Sequence, residues 1–173
     1  MTTKTRGLIF GLVVAVAALA AQPALAQAAK ALGEYKTWTA WQGSDANGII
    51  CYISSTPQDS KPTGVNRDPI HFLIIHRKGL GTTNEVQTLI GYPFNSTAAN
   101  ASATVDGKTF PMIAEGAAAW LASSGDEPNF VAALKAGTTL VVKGTSQRGT
   151  NTVDTYALGG VTAAMGEIDK ACT

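Results

Sequence analysis

Charge is scarce in this chain. Only 14% of its 173 residues are Asp, Glu, Lys or Arg, and the formal net charge is +1. A nucleic-acid binder carries a marked basic excess, and none is present. Cysteine is almost absent, with two residues, Cys51 and Cys172, too few for a disulfide-dense scaffold or a four-cysteine zinc site. Aromatic residues make up 7% and histidines number two. Long apolar runs are also missing: Leu8–Ala20 is the longest, and it falls short of the roughly 20 residues a membrane-spanning helix needs. The remaining composition, 45% hydrophobic with 18 Gly and 7 Pro, excludes a disordered tail and a collagen-like fibre and fits one globular domain.

The N-terminus has the pattern of an export signal. Lys4 and Arg6 lie in a stretch without acid, Leu8–Ala20 is apolar, Gln22 and Pro23 break the run, and Ala24-Leu25-Ala26 is a small-x-small cleavage pattern. Residue 27 is Gln and not Cys, which argues against a lipoprotein. Cleavage after Ala26 is expected to leave a mature chain beginning at Gln27, with 11 basic and 12 acidic side chains once Lys4 and Arg6 are removed. The expected location is the periplasm or the exterior, with no stable membrane span after cleavage. The competing expectation is an uncleaved N-terminus that holds the chain at a membrane. In an oxidising compartment Cys51 and Cys172 most simply form one bridge. There is no C-x-x-C to suggest a redox pair. Closing so long a loop removes about 4–5 kcal/mol of unfolded-chain freedom on the entropy model.

Residues 27–33 are Ala-rich and read as a loose lead-in to one domain over residues 34–173. Tyr35–Gln42 reads as a strand, on which Trp38 and Trp41 face opposite sides, one toward the core and the other toward an edge or partner. Ile49–Ser54 is a short apolar run after Asn47-Gly48 and reads as a buried strand. Ser55–Pro69, with Pro57, Pro62 and Pro69, reads as a long polar loop. Further strands are expected over Ile70–Arg77 and Glu85–Gly91, and a hairpin around Asp106-Gly107, where both residues need positive φ. Pro111 predicts that the second strand of this hairpin lies at an edge or ends early. Asp126–Gly137 has the start and stop signals of a helix with Phe130, Val131 and Leu134 as its apolar stripe. Thr138–Ser146 and Thr152–Ala157 read as an antiparallel pair. Val161–Cys172 reads as a second helix with Val161, Ala164, Met165, Ile168 and Cys172 on one face. Strand following strand predicts a mainly β, antiparallel sandwich or barrel with two short peripheral helices and one disulfide.

No motif specifies a reaction. Gly144-Thr145-Ser146-Gln147-Arg148-Gly149 is one residue too long for the G-x-S-x-G elbow and precedes no helix, so a hairpin turn is the better reading and a serine hydrolase using Ser146 the alternative. His71 and His76, five apart on a strand, point to opposite faces and do not share a metal; each is expected at a strand edge or near a loop, on the surface. Gly79-Leu80-Gly81 lacks the third glycine and the helix of a phosphate-binding loop. His76-Arg77-Lys78 is too small a basic cluster for nucleic acid. Asn95-Ser96-Thr97 and Asn100-Ala101-Ser102 match the glycan-acceptor pattern only in a eukaryotic secretory route. No cofactor is expected.

From Trp38 to Cys172 the chain resembles the invasion-associated locus B family of exported alphaproteobacterial proteins. The most specific stretch is Gly144–Gly160 (GTSQRGTNTVDTYALGG), with Arg148-Gly149, Asp154, Tyr156, Leu158 and Gly160 in order. It is supported by Trp38 or Trp41 ahead of Cys51, Val105-Asp106-Gly107, Ala119-Trp120, the helix ending at Gly137, and Cys172. The resemblance implies an immunoglobulin-like β-sandwich at the periplasm or surface, an association with host-cell invasion in pathogenic members, and no known reaction. The expected function is therefore non-enzymatic: binding a protein or envelope component, or working in envelope maintenance. A periplasmic accessory subunit of an inner-membrane complex is a further alternative. Trp38, Trp41 and Tyr92 are candidate aromatic anchors. Arg148 and Asp154 flank a turn and are expected either to pair locally or to contribute to a recognition surface.

Overall fold

The computed structural model describes residues 29–173; the export-signal pattern lies outside them. Eleven strands form: β1 (Lys30–Tyr35), β2 (Trp38–Asp45), β3 (Gly48–Ser55), β4 (Asp59–Lys61), β5 (His71–Arg77), β6 (Thr82–Leu89), β7 (Ser102–Val105), β8 (Lys108–Glu115), β9 (Ala118–Leu121), β10 (Thr139–Thr145) and β11 (Asn151–Ala157). Two helices join them, α1 (Glu127–Ala136) and α2 (Val161–Cys172). Every strand pairing is antiparallel, in the order β1-β2-β3-β5-β6-β9-β8-β7-β10-β11-β4. The mainly β sandwich with two helices and one disulfide is thus the fold the chain adopts.

The two layers are joined through β8. Its first half pairs with β7, ending at Ser102↔Pro111, and its second half pairs with β9, beginning at Met112↔Leu121. Pro111 was expected on a strand that lies at an edge or ends early; β8 runs on to Glu115 inside the strand order, and it is the ladder with β7 that ends at Pro111, at the corner where β8 changes sheets. Lacking an N–H, Pro111 suits the residue at which one ladder stops, and its carbonyl accepts the amide of Ala122. The Asp106-Gly107 turn has positive φ at both residues, as its sequence predicts. The Asp106 carboxylate accepts the amides of Thr138 and Thr139, and these bonds hold it below the ordinary carboxylate range. They fix the hairpin to the start of β10.

The N-terminal expectation needs correction. The lead-in is ordered from Lys30, and Tyr35–Gln42 is not one strand but a hairpin broken at Lys36, which has positive φ. Alanine and glycine leave β1 no period of its own. Pairing with β2, and the packing of Leu32 and Tyr35 against the core, order it instead. The Ala-rich stretch near Ala119-Trp120 is a hairpin too, turning at Gly116.

Alternation places the core. Trp38, Ala40, Cys51, Ile53, Phe72, Ile74 and Val86 point inward from the first sheet, and Ala103, Leu140, Val142 and Tyr156 from the second. Phe130 of α1 lies between them, with its ring 5.9 Å from Phe72 and 4.9 Å from Phe110. All five predicted inward residues of α2 are buried, and the helix packs against β1, β2, β3 and β5. Cys51 and Cys172 are bonded, with Cα atoms 5.9 Å apart.

His76 is not the surface residue expected. It is 1% exposed and sits opposite Cys51, because β5 is an interior strand whose inner face meets α2. Nδ1 accepts the Asn84 amide at 3.1 Å, and Nε2 donates to the Asp169 carboxylate at 2.8 Å. This assignment of the ring proton follows from the two partners. The disulfide and this bond are neighbouring ties between α2 and the sheet.

Candidate functional site: a cleft over a buried ion pair

Five residues were candidates for a recognition surface, and the structure separates them. Trp38 is fully buried, its indole N–H donating to the Ala157 carbonyl at 2.9 Å, so it is a core residue. Trp41 emerges on the opposite, outer face of the first sheet, as the spacing requires. Tyr92, Arg148 and Asp154 come together at the other end of the fold, beside the β10–β11 hairpin.

Asp154 does not pair with Arg148. It alternates with Thr152 and Tyr156 on the inward face of β11 and is fully buried, whereas Arg148 lies out in the turn. Its partner is Arg67, from the long segment after β4. The guanidinium meets both carboxylate oxygens, at 2.7 and 2.6 Å, and also donates to the Ile90 carbonyl. The Arg67 side chain is 7% exposed. A charge so placed is tolerable only with such a partner. The guanidinium also lies 5.1 Å from the centre of the Tyr92 ring. Tyr92 Oη and Thr152 Oγ1 share a 2.6 Å hydrogen bond. Burial raises the Tyr92 hydroxyl above its usual value.

Two glycines allow these segments to meet. Gly91 has φ of +78°, and a Cβ there would fall 2.4 Å from the Asp68 carbonyl oxygen. The Asp68 amide donates to the Gly91 carbonyl, so the backbones run in contact. A Cβ at Gly144 would fall 2.5 Å from the Phe94 ring and 3.0 Å from Tyr92 Oη. Gly144, read from the sequence as part of a turn motif, is therefore the floor on which Tyr92 and Phe94 pack.

Above the ion pair is a cleft of about 240 Å³, walled by Asn66, Asp68, Tyr92, Pro93 and Arg148. Small-molecule sites are typically ~300–1,000 Å³, so the space suits one side chain or one sugar unit of a larger partner. Arg67 is neutralised by Asp154; the charges presented to solvent are Arg148 and Asp68. A broader groove of about 660 Å³ opens on the other side of Arg67, with Pro57, Pro62, Pro69 and Ile70 as its apolar surface. Ser146 is buried, and its Oγ accepts the Thr150 amide at 3.1 Å. No histidine lines the small recess it shares with Arg148 and Tyr92, and His76 is committed to Asn84 and Asp169. Among the described residues no group of three or more His, Cys, Asp or Glu is placed to hold a metal, and no helix is long and apolar enough to cross a membrane.

Arg67 was missed by sequence reasoning. It stands in a polar, proline-rich stretch with no periodicity. The available signal was indirect: strand alternation turns Asp154 inward with Tyr156, and a buried carboxylate requires a cationic partner.

The fold and site together define an antiparallel β-sandwich, stapled by one disulfide, whose loops converge on a small two-charge cleft. The chain matches no protein-family profile, no curated protein and no solved structure.

Proposed function

We propose that this chain is an exported, non-catalytic binding protein of the invasion-associated locus B type, working at the periplasm or cell surface after removal of Met1–Ala26. Its partner is a protein or envelope component engaged through the Tyr92–Arg148 cleft. The observation that carries this reading is the buried Arg67–Asp154 pair beneath the cleft. Together with the bond from Arg67 to the Ile90 carbonyl, it ties three separate segments, 62–70, 90–94 and β11, against one another. Relative to well-packed apolar residues, a buried pair adds little stability; what it supplies is a rigid base for exposed loops, the usual setting of recognition residues. The disulfide agrees with an oxidising compartment. The resemblance over Gly144–Gly160 falls on the same place: Arg148 and Gly149 form the turn, Asp154 the base, and Tyr156 the core beneath it.

The test is capture from the intact cell envelope, with the mature chain and its Arg148→Glu variant as baits. Arg148 is exposed, so the variant keeps the fold. A partner held by the first bait and lost by the second is the expected result. Identical capture by both would remove the cleft from the function. Turnover of ester or glycan substrates that Ser146→Ala abolishes would replace binding with hydrolysis.

A further inference from the structure

The outer face of the first sheet is unusual for a strand surface turned to solvent. In register across it run Thr39, Ser54, Leu73, Gln87, Trp120 and Ile113, and beside them Trp41, Tyr52 and Ile75. Trp41 and Tyr52 are stacked, with ring centres 6.3 Å apart, and Ile113 is 60% exposed. Antiparallel sheets with one solvated face normally alternate apolar inward with polar outward; here both faces are rich in apolar side chains. The border carries charge: Arg77 binds Glu85 at 2.7 Å and Asp45 at 3.2 Å, and Glu34, opposite Thr39, and Glu115 are exposed beside it. Two tryptophans and a tyrosine among aliphatic residues are the composition favoured where a protein meets a lipid headgroup layer.

The position of the chain's entry selects the occupant. Ala29 lies on this same face: a Cβ built on Gly43 would be 3.5 Å from the Ala29 Cβ and 3.8 Å from Ile50. Gly43 and Ile50 are paired, one step along the strands from Trp41 and Tyr52. Eight residues separate Ala29 from Ala20, the end of the apolar run. Fully extended, they reach roughly 30 Å. A membrane-held N-terminus therefore keeps this face within reach of the bilayer. We propose that the Trp41–Tyr52–Trp120–Ile113 face rests on a lipid surface while the apolar N-terminal run is attached. Stable membrane attachment takes two weak signals, and the run and the face supply one each. This goes beyond the binding reading above and does not involve the cleft.

The chain carries its own probe. Its three tryptophans are Trp38, Trp41 and Trp120; Trp38 is buried, so the other two report on the face. The full chain is mixed with phosphatidylethanolamine–phosphatidylglycerol vesicles bearing brominated acyl chains. Tryptophan emission is expected to shift to the blue and be quenched. Quenching is expected to disappear in Trp41→Phe/Trp120→Phe, whose remaining Trp38 stays out of reach. It should also be lost in Ile113→Glu/Gln87→Glu, which still floats with the vesicles through its N-terminal run. Flotation of the full chain without quenching would overturn the proposal, as would quenching unchanged by the glutamates, or no flotation at all. A dimer in vesicle-free solution that Ile113→Glu dissolves would assign the face to a second copy and overturn it equally. None of these readings depends on Arg148.

Discussion

Replacing Asp154 with alanine removes one partner of a pair that is almost wholly out of water. The carboxylate is 0% exposed and the Arg67 side chain 7%. The guanidinium then keeps the Ile90 carbonyl and the Tyr92 ring but loses both charge-assisted bonds. Stranding a buried charge in this way costs about 3–5 kcal/mol, against a total stability of ~5–15 kcal/mol for a domain. At roughly 2–4 °C per kcal/mol for a chain of this size, the melting temperature should fall by roughly 6–20 °C. The companion variant Arg67→Met/Asp154→Leu removes both charges and keeps apolar volume, so it should recover most of that loss. Calorimetric or circular-dichroism melts of wild type, single and double variants at neutral pH make the comparison. An Asp154→Ala melting temperature within a degree or two of wild type would refute the reasoning, because the pair would then be solvated. A double variant no better than the single one would also refute it, by assigning the loss to packing alone.

Two other outcomes follow from the same structure. Reduction, or Cys51→Ser/Cys172→Ser, frees a loop closed across 121 positions; urea titration should show a loss of about 4–5 kcal/mol, and unchanged stability would refute the loop-closure account. Asp106 has a carboxyl held below its ordinary range by the amides at Thr138 and Thr139. Its stabilising effect is therefore full above the unfolded carboxylate value and is lost as pH falls through the lower folded value. The stability gap between wild type and Asp106→Asn should accordingly narrow on acidification below the normal Asp range, and a gap that widens there would contradict the assignment.

Much of this architecture was legible where a segment's own pattern decides its structure. The spacing of Val161, Ala164, Met165, Ile168 and Cys172 specified both α2 and the direction from which its cysteine reaches Cys51. Thr152–Ala157 read as the second strand of an antiparallel pair, as β11 is. The three-residue offset of Trp38 and Trp41 sent one ring into the core and the other to the outer face. What escaped was decided between segments. Lys30–Tyr35 is a strand because β2 needs a neighbour, and alanine and glycine carry no trace of that. His76 looked superficial beside two basic residues, yet its strand lies in the middle of a sheet beneath α2. Arg148 and Asp154 are close in sequence and flank one turn, but only the aspartate faces inward. Its true partner is 87 residues away, in a loop whose composition announces nothing but irregularity.

The corner in β8 has a consequence for how copies of this protein meet. Because one strand serves both layers, the strand order among the described residues runs unbroken from β1 to β4, and these two strands are its ends. The β1 margin is interrupted by an irregularity between Ala31 and Gly33, and β4 is three residues long with a charge at each end, Asp59 and Lys61. Short, bulged and charged margins are poor templates for strand addition. Edge-to-edge pairing with another copy is thus obstructed at both ends of the strand order.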